Sequence, residues 1–103
     1  MQSEKFIVNL ILCKTGKMVY FSQLDLIHVL ERALRRTKLP LYYTQGFNPR
    51  VKISFLSGLK LGIEGSIDIR LYFSENVSKS QITQQLGQQL PEGLNILGSK
   101  NNN

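Results

Sequence analysis

Tryptophan is absent from the 103-residue sequence, and cysteine and histidine occur once each, as Cys13 and His28. A lone cysteine cannot close a disulfide within the chain, which favours a reducing compartment. One thiol and one imidazole cannot supply the four ligands of a structural zinc site or of an iron–sulfur cluster. These scarcities predict a chain without a metal or other cofactor.

Acidic residues are scarce as well: seven Asp and Glu stand against thirteen Lys and Arg, for a net charge of +6 and a pI near 9.7. This balance favours a polyanionic partner, although a surface that is basic only for solubility has the same composition. Alanine occurs once, as Ala33, while Ile, Asn and Gln are frequent. That bias is typical of an A+T-rich bacterial or organellar genome.

Long hydrophobic runs are missing too. The mostly apolar stretch "FIVNLILC" is interrupted by Asn9 and falls short of the roughly 18 residues that a membrane span requires. The residues before it include Glu4 and Lys5 and lack a typical cleavage site, so they do not read as a signal peptide. We expect a cytoplasmic protein of a bacterial or organellar interior, with no membrane partner.

The chain is long enough for one domain with its own core, predicted over residues 1–98 and followed by a frayed tail at 99–103. Short apolar or alternating segments predict four strands, at residues 5–13, 51–57, 66–73 and 94–97. In the third of these, alternation places four residues toward the core: Ile67, Ile69, Leu71 and Phe73. The segment "MVYF" fits a short extra strand or an extended entry to a helix.

Two helices are predicted from their caps. Ser22 with Asp25 has the spacing of a capping box, and Ser78 with Gln81 repeats the pattern. The first helix should end near Lys38, because Pro40 disfavours helical geometry before it. Its expected core stripe consists of Leu24, Ile27, Leu30 and Leu34, widened by Leu26 and Ala33. The order of elements predicts an α+β fold, a ferredoxin-like split βαβ sandwich whose antiparallel sheet carries two helices on one face.

Cations cluster at the end of the first helix, in "ERALRRTK". Arg32, Arg35 and Arg36 share a helix face, where they could follow nucleic-acid phosphates. The same cations would also stabilise the helix dipole, and Glu31 can pair with Arg35. His28 lies one turn before Arg32. Histidine can act as the general acid or base in RNA cleavage. A lone histidine on a helix is more often a surface residue, so we do not expect this chain to be an enzyme.

The segment 42–52, "YYTQGFNPRVK", places Phe47 between turn residues, with two tyrosines before it and Arg50 and Lys52 after it. A positioned ring beside cations is typical of a surface on which nucleic-acid bases stack. The alternative is that Phe47 fills a gap in the core under its own loop. The two adjacent tyrosines cannot both face inward in an extended chain, so at least one should keep its hydroxyl in water.

Three segments together resemble a known family: "KTGKMVYFSQLDLIHVLERALRR", "LPLYYTQGFNPRVKISF" and "LKLGIEG". They are similar to the uncharacterised radical-SAM-linked domain family, whose members carry patterns such as E-R-A-x-R-R and S-Q-G-F-N-P. The similarity runs from about Lys14 to Gly65 and continues more weakly to about Leu97. The matching positions are Ser22, Asp25, Arg32, Arg35, Arg36, Gln45, Gly46, Phe47, Asn48 and Pro49.

The resemblance implies a domain that occurs at the C-terminus of radical-SAM proteins, or that is encoded near them and near RNA-processing and ribosomal genes. This chain lacks a cysteine triplet for an iron–sulfur cluster, so it would be an accessory domain and not the radical enzyme. Gln23 and Arg50 stand where the family commonly has histidines. These departures favour binding over chemistry.

We therefore predict a noncatalytic module that binds RNA or a ribonucleoprotein, within a ribosomal or RNA-modifying assembly. The alternative is a protein-docking module for a separate radical-SAM or RNA-processing enzyme. The predicted RNA contacts are Arg32, Arg35, Arg36, Tyr42, Tyr43, Gln45, Phe47, Asn48, Arg50 and Lys52.

Overall fold

A computed structural model of the protein describes residues 5–56 and 65–100. The strands are β1 (Phe6–Lys14), β2 (Ile53–Phe55), β3 (Gly65–Phe73) and β4 (Leu94–Lys100), and the α-helices are α1 (Gln23–Arg35) and α2 (Lys79–Gln89). One sheet has the strand order β2-β3-β1-β4, and neighbouring strands are antiparallel. The predicted α+β fold with an antiparallel sheet and two helices is confirmed.

Alternation along the strands divides the sheet into two faces. The apolar face holds the core, and the β3 residues predicted to point inward are all buried there. Both helices bury apolar residues in that same cluster, including Leu30 and Leu34 from α1 and Ile82 and Leu86 from α2. The intervening strand residues point the other way, to what we call the mixed face. Among the described residues, neither α-helix packs its apolar residues on the mixed face.

Helix α1 begins at the predicted cap. The Ser22 hydroxyl accepts a hydrogen bond from the Asp25 amide at 3.1 Å, and the Asp25 carboxylate accepts one from the Ser22 amide at 3.0 Å. The backbone hydrogen bond from Ser22 lowers the pKa of Asp25, with a smaller contribution from the Ser22 side chain. The completed capping box fixes the first turn of α1.

The predicted core stripe of α1 is partly wrong, because Leu24 is 60% exposed. The buried apolar residues of α1 are Leu26, Leu30, Ala33 and Leu34. The helix also ends at Arg35 and not near Lys38, and the Thr37 hydroxyl bonds the Leu34 carbonyl at 2.6 Å just after that end.

Two further boundaries differ from the sequence-based expectation. "MVYF" is not a strand, since Gly16–Tyr20 forms a 3-10 helix, and only Phe21 is an extended entry to α1. The consecutive residues Met18 and Val19 are both buried. Strand β4 continues past Leu97 to Lys100, because it keeps pairing with β1 across a register shift. The rest of the predicted tail, 101–103, and most of the loop before β3, 57–64, lie outside the described residues.

Gly93 makes the close turn between α2 and β4. Its φ is +95°, and its carbonyl accepts a hydrogen bond from the Thr15 amide at 2.8 Å. A Cβ at this position would lie 2.7 Å from the Thr15 carbonyl oxygen and 2.9 Å from Cγ of Met18. Both the backbone conformation and the space therefore require glycine.

We expect Gly93→Ala to lower the free energy of unfolding by about 3 kcal/mol or more, since a left-handed conformation and a backbone clash act together. Gly16→Ala is the matched control, because its φ is +59° and an added Cβ meets no atom within 4 Å. It should cost only the conformational term of about 1–2 kcal/mol. Urea unfolding followed by circular dichroism measures both variants. Equal losses would contradict the role given to the Thr15 contact.

Candidate functional site

An open cavity of about 300 Å³ lies between α1 and the chain that follows it. Its lining residues are His28, Glu31, Arg32, Arg35 and Arg50. Three guanidinium groups against one carboxylate leave the cavity with a net positive charge. Arg32, Arg35 and Arg50 were predicted as RNA contacts, and the fold brings them together around this one cavity.

Arg50 reaches the cavity from what we call the 41–52 hairpin, at the edge of the sheet. Tyr43 pairs with Val51 in that hairpin. The Thr44 amide donates to the Arg50 carbonyl at 2.8 Å, and the Arg50 amide donates to the Thr44 hydroxyl at 3.1 Å. These bonds close the base of the loop 45–49, and Gly46 turns within the loop at a φ of +131°.

The loop tip carries three of the predicted contacts, Gln45, Phe47 and Asn48, and all three are exposed. The side chain of Phe47 lies entirely in solvent. It therefore does not fill a gap in the core, which was the alternative interpretation of this ring. The ring is fully accessible on a loop whose base is closed by hydrogen bonds.

Glu31 joins α1 to the hairpin. Its side chain is only 7% exposed. Arg50 donates to both carboxylate oxygens, from Nε to Oε2 at 3.3 Å and from Nη2 to Oε1, and Arg35 Nη2 lies 4.0 Å from Oε2. The Arg50 hydrogen bond holds the pKa of Glu31 below its ordinary value, against the opposing effect of burial, and the charges of Arg50, Arg35 and His28 add to the lowering. The same contact raises the pKa of Arg50.

Arg35 also contacts an aromatic ring. Its Cζ lies 6.0 Å from the ring centroid of Tyr43, which is 41% exposed. Arg35 therefore links Glu31 and the hairpin through a weak ion pair and a cation–π contact. Arg32 is exposed, and no acidic side chain of the described segments pairs with it. Its charge is the least compensated in the cavity.

Arg36, Tyr42 and Lys52, which were also predicted as RNA contacts, do not line this cavity. Arg36 turns to the C-terminus of α2, where Nε donates to Gln89 Oε1 at 3.1 Å and Nη2 donates to the Gln89 carbonyl at 3.2 Å. Lys52 lies on the mixed face, with Nζ 5.0 Å from the Tyr72 ring centroid. The Nζ atom of Lys5 lies 5.6 Å from the ring centroid of Tyr42. Neighbouring residues of an extended segment point to opposite sides, so Tyr42 and Tyr43 diverge.

The role of Glu31 is what the sequence-based prediction missed. The sequence offered Glu31 as a partner for Arg35, one turn away on the same helix, whereas its stronger partner is Arg50, 19 residues along the chain. The available signal was an isolated acid in an otherwise basic stretch, "HVLERALRR". Such an acid is expected to be paired when it is buried.

The fold and the cavity together define a small α+β domain with an arginine-rich surface site. The family described as "Uncharacterized protein conserved in bacteria (DUF2344)" matches residues 8–103, and the chain belongs to this family. The resemblance seen in the sequence is confirmed as far as an uncharacterised bacterial family, while an association with radical-SAM proteins stays a prediction. No curated protein and no solved structure matches the chain. Within the described segments, no helix has both the length and the apolar character needed to span a membrane.

We expect Glu31→Gln to change how stability depends on pH. Because the folded-state pKa of Glu31 is lowered, its contribution is fully present above the ordinary value of 4.5 and is lost as the pH falls through the lowered value. The variant should therefore be less stable than the native chain at neutral pH. The free energies of unfolding of the two chains should become equal as the pH is lowered. Urea unfolding at stepped pH measures this. Glu75→Gln controls for the loss of one exposed negative charge, and a Glu31→Gln deficit that persists unchanged into acid would contradict the assignment.

Proposed function

We propose that this chain binds RNA without catalysing a reaction, through Arg32, Arg35, Arg50 and the exposed ring of Phe47. The observation that carries the proposal is that three guanidinium groups line one open cavity near a loop whose ring has no part in the core. Guanidinium groups bind phosphate oxygens through paired, charge-assisted hydrogen bonds. An exposed ring accepts any base by stacking.

The Glu31 carboxylate in the cavity orients the arginines but does not occupy all of their N–H donors. A guanidinium has five N–H donors, and Arg50 uses its Nε and Nη2 on Glu31. The Arg50 and Arg35 side chains remain 53% and 52% exposed. Both can therefore hold Glu31 and still meet a phosphate. Contacts of this kind give affinity with little sequence preference, because the phosphate backbone carries no base identity.

The setting we infer is a ribosomal or RNA-modifying assembly in the bacterial cytoplasm, with a radical-SAM or RNA-processing enzyme as a neighbour. A second candidate function is docking to such an enzyme. It is favoured by the complete exposure of Phe47 on a loop closed by hydrogen bonds. Aromatic side chains presented in this way are also typical anchors of protein interfaces.

Arg32→Ala should weaken RNA binding without destabilising the fold, because Arg32 is exposed. Fluorescence anisotropy with a labelled oligouridylate over a salt series measures the change. Loss of one phosphate contact should reduce the log–log salt slope by about 0.7 on a single strand. Lys17→Ala, which removes an exposed charge from the 3-10 helix, is the matched control. If the native chain fails to bind RNA at low salt, or if both variants bind as the native chain does, the proposal is wrong.

Phe47→Ala separates the two candidate functions. We expect the free energy of unfolding to stay within about 0.5 kcal/mol, since the ring is exposed. RNA affinity should fall by about 5- to 150-fold, the effect of losing one stacked base. Capture of partners from a bacterial lysate, with and without nuclease, provides the second measurement. Docking would be favoured over RNA binding by two results together. A protein partner is still captured after nuclease treatment but is lost with Phe47→Ala, and Phe47→Ala leaves the RNA affinity unchanged.

A further inference from the structure

The mixed face of the sheet carries a second group of aromatic and basic side chains. Tyr72 lies on β3, an inner strand of the sheet. The Tyr72 hydroxyl is 3.1 Å from the Ser54 hydroxyl on the neighbouring strand β2. Lys52 lies over the Tyr72 ring, and Lys5 lies over the ring of Tyr42. Two rings, each with an ammonium group beside it, therefore occupy the end of this face nearest the 41–52 hairpin.

Arg70 adds a third cation that is held in place. Arg70 and Asn9 are direct partners across the β1–β3 ladder, and Arg70 Nε donates to Asn9 Oδ1 at 3.0 Å. Asn9 is the polar residue that interrupts the apolar run of β1, and it is buried. Its side chain thus orients the guanidinium group on the surface of the sheet.

The charge of this face favours an anion. The hydrogen bond from Ser54 lowers the pKa of Tyr72 against the effect of burial, and a hydrogen bond from Arg70 and the charges of Arg70 and Lys52 lower it further. Asp68 is an acidic residue on the same side of β3. Its negative charge is outnumbered by the positive charges of Lys5, Lys52 and Arg70. A ring surrounded by more positive than negative charge is complementary to a base that is attached to phosphates.

We propose that the mixed face is a second contact surface for the same single-stranded RNA, with a base on Tyr72 and phosphates on Lys52 and Arg70. The inference rests on the proposed function. The hairpin connects the two surfaces, because Tyr43 contacts Arg35 beside the cavity while Lys52 contacts Tyr72 on the mixed face. A single-stranded RNA that crosses this edge of the sheet would reach both the cavity and the mixed face. In one common RNA-binding module, aromatic residues on a four-stranded sheet stack on the bases of single-stranded RNA.

Lys52 must leave the Tyr72 ring when a base stacks there. Its ammonium lies over the ring at 5.0 Å. An exposed cation–π contact of a lysine is weaker than the stacking of a base on the same ring. The flexible lysine loses little by moving and gains a phosphate partner, so the exchange favours binding.

The test compares charge reversals on the two sides of the sheet. Lys52→Glu should weaken binding of a labelled oligouridylate by about tenfold or more at low salt, as reversal of a phosphate contact predicts. Lys38→Glu is the matched control and should have a much smaller effect. Lys38 is exposed, and its amide donates a hydrogen bond to Gln85 on α2. Tyr72→Leu should remove photo-crosslinking of thiouridine-labelled RNA to β3. If Tyr72→Leu fails to fold, Lys52→Glu and crosslink mapping on the native chain decide the question.

The outcomes separate the two proposals. Crosslinks on Tyr72 together with weakened binding by both Lys52→Glu and Arg32→Ala support the second surface. If Arg32→Ala weakens binding while Lys52→Glu behaves like Lys38→Glu, the mixed face is not an RNA surface and the cavity proposal stands. If Lys52→Glu instead abolishes nuclease-resistant capture of a protein and leaves RNA affinity unchanged, the mixed face binds protein and the inference is wrong. Absence of RNA binding by the native chain overturns both.

Discussion

The geometry of the arginine cavity depends on the ion pair between Glu31 and Arg50. A carboxylate this buried is costly unless a cation pairs with it and hydrogen-bonds it. The hairpin must therefore keep Arg50 against α1 for the domain to be stable. The same residue closes the loop 45–49 through its backbone bonds to Thr44. One buried charge thus sets both the arrangement of the guanidinium groups and the position of the Phe47 loop.

The mixed face uses polar contacts in a comparable way. Asn9 orients Arg70 across the ladder, and Ser54 contacts the Tyr72 hydroxyl. In both places a short or buried polar side chain fixes a long one, which reduces the conformational entropy that the long side chain would lose on binding. The two surfaces are therefore ordered before a partner arrives, although neither contributes to the apolar core.

The parts of the fold that could be predicted from the sequence are those whose physics is local. The capping box at Ser22 spans a single turn, and the alternation that buries Ile67 and Phe73 has a period of two residues. The phase of α1 could not be settled in this way, because Leu24 and Leu26 both extend a helical stripe and only the position of the sheet decides which is buried. Arg32 and Arg35 line one cavity, as their spacing on a shared helix face indicated.

What the sequence could not reveal are the contacts between distant segments. Arg36 lies on the predicted helix face, yet its side chain is taken by Gln89 at the end of α2. Tyr42 and Lys52 were grouped with Tyr43 because they are close along the chain, but an extended segment sends neighbours to opposite sides. Sequence proximity thus grouped residues that the fold places on different surfaces.

The division of the cations into two groups has an electrostatic consequence. Charges in water at physiological salt interact over only about 8 Å. Away from the hairpin edge, the cavity and the mixed face would therefore act as separate weak sites in the proposed RNA complex. They reinforce each other when one flexible polyanion occupies both, because the second contact then forms at the high effective concentration set by the first. A small free anion would gain nothing from this arrangement, so the proposed RNA surface would favour a chain-like ligand.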